Sequence, residues 1–265
     1  MSIHSNNALL RWLSEYHDSV GGAADECLQL YDELRQCEQA NSKNLSQMHE
    51  LLSIMSSLSP DPHTVSCAML FVALEWGEDL ESTRAGLSKQ VNAQLDQLLY
   101  LIELETEHLP ASASHSAEGL RRMLLALIKD VRVVLIALAW QLVKLRRVRS
   151  DSKDAVSLAR EAMLIHAPLA NRLGVWQLKW ELEDLAFRYD QPGDYQRVAA
   201  LVAERRADRE RYIRAFMEKL DDAIHGAGIN GEVKGRPKHI YSIWKKMQRK
   251  GIDFHELFDV RAVRV

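Results

Sequence analysis

This 265-residue chain has little that could staple it, export it or anchor it in a bilayer. Its 3 cysteines, Cys27, Cys37 and Cys67, are an odd number without the short paired spacings of a zinc site. The start, MSIHSNNALLRWLSEYHD, lacks the basic and apolar regions of a secretion signal. A disulfide scaffold is therefore excluded, and reduced thiols in the cytoplasm are expected. Apolar runs such as Val133 to Trp140 fall far short of the ~20 residues that span a bilayer, which excludes a membrane helix. There is no internal repeat, and almost nothing reads as β structure before residue 228. With 47% hydrophobic residues the chain is not disordered, and its length suits one large or two modest domains.

Helical periodicity fills the rest. Apolar residues recur at i, i+3, i+4 spacing through residues 6 to 58, as in Leu9, Leu13 and Tyr16 and in Leu45, Met48, Leu51, Leu52 and Met55. Ser59-Pro60-Asp61-Pro62 is a break, after which His63 to Trp76 reads as a buried helix and Gln90 to Leu109 as another. Beyond a small-residue linker, Pro110 to Ser116, the segment Ala117 to Val148 is the longest helix and the expected centre of the first domain. Asp154 to Gly174 and Trp176 to Tyr189 follow, with Trp176 and Trp180 expected in the core. Gln191-Pro192-Gly193 reads as a turn and Tyr195 to Ala227 as one long helix.

Charge is unevenly shared. Residues 1 to 110 carry 5 basic and 17 acidic side chains (5 − 17 = −12), whereas 196 to 250 carry 14 and 7 (14 − 7 = +7). The cationic part includes Arg205, Arg206, Arg209, Arg211 and Arg214, a run that could meet nucleic acid. Interleaved with Glu204, Asp208 and Glu210, it more often makes a solvated face.

The last thirty-one residues, GRPKHIYSIWKKMQRKGIDFHELFDVRAVRV, are the most specific stretch. Pro237 suits a first helical position. Counting 100° per residue groups Lys238, Ser242, Lys245, Lys246 and Arg249 on one side and Ile240, Ile243, Trp244 and Met247 on the other. Lys238 and Ser242 then fall where a helix start favours an anion. FDVRAVRV alternates as a strand with Asp259 and Arg261 on one face, and Gly231 to Lys234 reads as a short strand before the motif.

GRPKHIYSIWKKM followed by FDVRAVR resembles the opening of the synthetase domain of the RelA/SpoT family, which moves pyrophosphate from ATP to the 3′-hydroxyl of GDP or GTP. The likeness extends back through HAPLANRLGVWQLKWELEDLAFRY (166 to 189) and ERRADRERYI (204 to 213). It implies a mainly α chain with three parts. Residues 1–180 form a helical HD-type domain, 181–228 are connecting helices, and 229–265 are the truncated start of an α/β nucleotidyltransferase-like synthetase domain.

By the same resemblance, the HD-type domain of such proteins hydrolyses the 3′-pyrophosphate with manganese held by a histidine, a His-Asp pair and a later aspartate. Here the pair's positions hold Phe71 and Val72, and the carboxylate pair after it becomes Glu75 and Trp76. The later aspartate becomes Trp140, and the histidine three on becomes Val143. Gln47 stands nearest the first histidine, with His49 two residues away, and the literal pair His17-Asp18 lies too early. The implied domain is a degenerate hydrolase, as in the RelA-type branch.

The synthetase roles carry over by position. Arg236 and Arg264 would stack on adenine, with Arg261 open as an alternative because a regular strand turns Arg264 away from Asp259. Lys238 and Lys246 would hold the phosphates, Ser242 would add a hydrogen bond, and Asp259 would bind Mg2+. The resemblance further implies ATP and GDP or GTP as substrates. It also implies a longer protein, whose C-terminal domains contact the ribosome and tRNA. The competing expectation is a helical RNA-binding or regulatory module. For this chain alone, no turnover and rapid hydrogen exchange over the last thirty or so residues are expected, because a two-stranded piece is marginal by itself.

Overall fold

The computed structural model describes residues 22–108, 119, 130–204, 206–257 and 261–264. The elements expected from Leu9, Leu13 and Tyr16, the pair His17-Asp18, the linker at 110–116, the first part of the 117–148 helix, and Asp259 all lie outside these. The chain is mainly α-helical. In order it forms α1 (Gly22–Leu34), α2 (Ser42–Ser56), α3 (Pro62–Glu75), α4 (Glu81–Ala85), α5 (Lys89–His108), α6 (Val131–Arg147), α7 (Lys153–Glu161), a π turn (Ala162–His166), α8 (Ala167–Arg172), α9 (Trp176–Asp190), α10 (Pro192–Glu204), α11 (Arg206–Gly226), β1 (Lys234–Pro237), α12 (Ile240–Lys250), a 3-10 turn (Phe254–Glu256) and β2 (Arg261–Arg264). It divides into two compact units, 1–148 with 161–179, and 149–160 with 180–265. Among the described residues no helix is long and apolar enough to cross a membrane.

The first unit is built around α3. Its sequence PHTVSCAMLFVALE is apolar on every side, and Val65 and every residue from Cys67 to Ala73 are buried. A helix of that kind is stable only when surrounded, and α1, α2, α5 and α6 all pack against it. Pro62 stands in its first turn and Asp61 caps it, accepting from the Thr64 N–H at 3.2 Å. Asp130 caps α6 by accepting from the Arg132 N–H, and the Arg132 guanidinium joins both caps, 2.6 Å from Asp130 and 2.8 Å from Asp61. Hydrogen bonds from Arg132, with Gln94 adding another against the cost of burial, pull the Asp130 carboxyl down to about 2. Lys144, Arg146 and Arg147 in the last turn of α6 suit its dipole, and Arg147 reaches Glu50 of α2 at 3.0 Å. Cys27 and Cys67 are buried thiols pushed up to about 12, chiefly by burial.

The second unit has a smaller core in which Val198, Ile243, Phe254 and Leu257 are buried, with Leu201, Ile240, Trp244 and Met247 packed around them. Phe187 lies against the rings of Tyr241 and Trp244, with centroids 5.6 and 4.7 Å away. The sheet has two antiparallel strands, β1 and β2, pairing Lys234 with Arg264 and Arg236 with Ala262.

Several local expectations change. Pro237 does not open a helix. It ends β1, opposite Arg261, and α12 begins three residues later behind His239, which has the extended φ and ψ of a cap (−71°, 151°). An edge position tolerates a proline because no N–H is needed there. The first strand is accordingly Lys234–Pro237 rather than Gly231 to Lys234. Pro192 starts α10 instead of making a turn, and the stretch expected as a long helix from Tyr195 is helical through Glu204 and again from Arg206, with residue 205 outside the described residues. Asp154 to Gly174 is interrupted by the π turn. Trp176, expected in the core, is 43% exposed at the start of α9, with the Lys179 ammonium 5.6 Å from its ring; Trp180 is half-buried.

Candidate functional site

The sequence marks out one place in each unit. In the second, α12 has the segregated faces that its sequence predicts. Tyr241 and Ile243 are buried, Trp244 and Met247 are partly so, and Lys245, Arg249 and Lys250 are exposed. Ser242 and Lys246, four residues apart on the helix, are half-buried, as is Lys238 just before it. The Lys245 ammonium stands 5.5 Å from the Tyr241 ring. Burial first, and then the charge of Glu183, push the Tyr241 phenol up to about 12, so it stays protonated.

The start of α12 is capped from another helix. His239 makes no side-chain cap, and Asp184 of α9 accepts instead from the Tyr241 N–H at 2.9 Å while its other oxygen lies 3.2 Å from His239 Nδ1. Trp180, one turn earlier on α9, stacks on the His239 ring at 4.9 Å. The first-turn N–H of Tyr241 is thus already engaged by a carboxylate, which corrects the expectation that this turn offers its amides to an anion. Sequence periodicity gave no hint of Asp184, since its partners lie 55 and 57 residues away.

After α12 the chain turns at Gly251, whose φ of 62° is left-handed and whose N–H bonds back to the Met247 carbonyl. Asp253 and Glu256 then form a reciprocal capping box that holds Phe254 in the core. This reversal returns the chain beside β1. Directly paired positions of an antiparallel sheet share a face, so positions 234, 236, 262 and 264 fall on one face and 235, 237, 261 and 263 on the other. Asp259, between the 3-10 turn and β2, is outside the described residues.

In the first unit, the positions that the resemblance aligns with hydrolase metal ligands are buried. Phe71 and Val72 of α3 are fully buried and Trp140 of α6 is 4% exposed. Phe71 and Trp140 meet edge to face at 5.6 Å, and Val143 is fully buried. The neighbouring His49 is half-buried, 2.8 Å from the Tyr31 hydroxyl, and burial, with Arg35 adding to it, lowers its pKa. Hydrocarbon and aromatic carbon at these positions cannot ligate a divalent ion.

Comparison with known proteins adds two family matches and several relatives. Residues 23–176 match the HD domain family, and residues 235–265 match the region found in RelA and SpoT proteins. The chain is 40% identical over 263 residues to the GTP pyrophosphokinase of Photobacterium angustum, covering 97% of this chain and 34% of that protein. It is 45% identical over 222 residues to the GTP pyrophosphokinase of Escherichia coli K12, covering 82% and 30%. It is also 42% identical over 157 residues (58% and 21%) to a Synechocystis protein described as a probable guanosine-3′,5′-bis(diphosphate) 3′-pyrophosphohydrolase. The chain spans about a third of the length of the curated relatives it matches.

Proposed function

Since the chain belongs to the RelA/SpoT family, with an HD domain over residues 23–176, we propose that it serves alarmone synthesis within a protein of its relatives' length. The reaction is transfer of pyrophosphate from ATP to the 3′-hydroxyl of GDP or GTP. The 3′-oxygen attacks the β-phosphorus, the bond to the α-phosphate oxygen breaks, and AMP departs. In this reading residues 1–180 are a degenerate hydrolase domain, 181–228 connect, and 229–265 begin the synthetase domain.

The observation that carries the reading is the α12 segment. An amphipathic helix with a packed apolar side carries Ser242 and Lys246 one turn apart, with Lys238 at its entry, in the wording shared with the RelA/SpoT region. Lys238 and Lys246 act as point charges on the ATP phosphates, and Ser242 adds a hydrogen bond. Arg236 and Arg264, on one face of the β1–β2 pair, supply guanidinium planes for the adenine, and the register favours Arg264 over Arg261. Asp259 is the one carboxylate assigned to Mg2+, an ion commonly held by one or two carboxylates together with phosphate oxygens, and the ion supplies charge neutralisation between the phosphates. Ribosome and tRNA contacts belong to the remaining length of such a protein, and a cytoplasmic setting follows from those substrates and partners.

The test is Asp259→Ala in the full-length protein, followed by thin-layer chromatography of labelled ATP with GDP or GTP. Product should fall to background while the circular dichroism stays unchanged. Undiminished synthesis by the folded variant would sink the assignment.

A further inference from the structure

The first unit contains a cluster of ionisable groups separate from the Phe71, Val72 and Trp140 positions. Glu105 of α5, Glu161 at the end of α7 and His166 of the π turn each offer a ligand atom, and these atoms lie within 4.8 Å of one another. The side chains of His166 and Glu105 are 2% and 4% exposed, and that of Glu161 is 15% exposed.

The cluster follows from a local feature of the sequence. Pro168 has no N–H to give the carbonyl four residues back, and its ring crowds that carbonyl. The helix widens ahead of it into the turn Ala162–His166, in which the Ala167 N–H reaches Ala162. In a regular α-helix Glu161 and His166, five residues apart, diverge by about 140°. The i to i+5 pitch stacks them instead, and such turns recur at functional sites.

The contacts within the cluster are incomplete. His166 Nε2 is 3.4 Å from Glu105 Oε2 and His166 Nδ1 is 3.9 Å from Glu161 Oε1, while His166 Nδ1 and Glu105 Oε1 are buried with no hydrogen-bond partner among the described residues. A buried carboxylate beside a partly buried one needs more positive charge than one imidazole supplies, and the Lys144 ammonium, whose side chain is 30% exposed, stands 3.9 Å from Glu161. By contrast, two ligands of a tetrahedral zinc, each roughly 2.0–2.1 Å from the ion, lie about 3.4 Å apart. That is the separation of His166 and Glu105.

We propose that Glu105, Glu161 and His166 bind one divalent transition-metal ion, zinc being the best match. One imidazole and two carboxylates make three protein ligands and leave a fourth position for water. The ion joins α5 to the π turn and neutralises both carboxylates. This site is not the manganese position of the hydrolase, and it is independent of the synthetase reading.

The experiment strips the 265-residue chain with a chelator and titrates it with Zn2+ by calorimetry and with Co2+ by visible absorption. One equivalent should bind, with a rise in Tm and the intense d–d bands of a four-coordinate cobalt ion. His166→Ala and Glu105→Gln should each weaken zinc by at least about tenfold, since even outer-shell changes at metal sites cost 10–100-fold, and should abolish the cobalt bands. Cys27→Ser and Cys67→Ser should leave both signals intact. If His166→Ala does not fold, the isosteric Glu161→Gln carries the same test. No stoichiometric binding, or zinc that binds undiminished when these ligands are replaced in folded protein, overturns the proposal.

Discussion

Helices α3 and α12 began as comparable stretches, each at a position where the family's chemistry would be carried, and they ended differently. On α3 every residue from Cys67 to Ala73 is buried, and Phe71 has drawn Trp140 against it. On α12 one side is buried and the other keeps Ser242 and Lys246 within reach of solvent. Both helices are well packed, so packing alone does not separate a helix buried all round from one that keeps a polar face. The difference is whether the polar positions of the pattern survive: a helix absorbed all round into a core gains burial and gives up any surface on which a ligand could sit.

The comparison breaks most visibly at Trp140. Replacing it with alanine removes a buried aromatic from the Phe71 contact and should lower stability by about 3–5 kcal/mol, measured by urea unfolding of this chain. The same variant, and the parent protein, should release no pyrophosphate from ppGpp with Mn2+, because no ligand is restored at Phe71 and Val72. Hydrolysis by either would show that the alignment of these positions is wrong.

Next in size is Lys246→Ala in the full-length protein. Loss of one charged contact to phosphate, worth about 1.5–3 kcal/mol, should lower kcat/KM for ATP by roughly 10- to 100-fold. Stability should barely change, the reverse of the Trp140 outcome. If Lys246→Ala unfolds the chain while leaving kcat/KM intact, the two helices are not as different as their burial says.

The smallest effect concerns acid. The folded Asp130 carboxyl, held at about 2 by Arg132, lies below its ordinary value of 3.8. A depressed carboxyl stabilises the fold above the unfolded value, and that stability is lost as pH falls from about 4 through about 2. Its size is on the order of 1–2 kcal/mol after allowing for partial exposure. Thermal melts between pH 6 and 2.5 should show this loss in the wild type and a shallower one in Asp130→Asn. Parallel curves would remove Asp130 from the acid response.

Much of this was legible from residues alone. The two faces of α12 follow from its spacing, and the burial of Phe71, Val72 and Trp140 follows from the apolar composition of the helices that carry them. What was not legible depends on distant pairing. Pro237 has the local marks of a helix start and became the end of a strand because Arg261 returns beside it. Trp176 looked like core by its four-residue spacing from Trp180, yet it is first in its helix and half in solvent. The expectation of a poorly held tail also needs correction for its middle part. Ile243, Phe254 and Leu257 are buried in the second unit, so residues 240–257 have a core of their own before β2 is reached.

The capping of α12 by Asp184 has a further consequence. A helix capped by its own N-terminal residue can fray and re-form as an independent event, whereas α12 borrows its first hydrogen bond from a neighbour and cannot complete its start until α9 is in place. The start of the cationic face is therefore tied to α9, and a change that removes the Asp184 carboxylate reaches residues 238–246 without touching α12 itself.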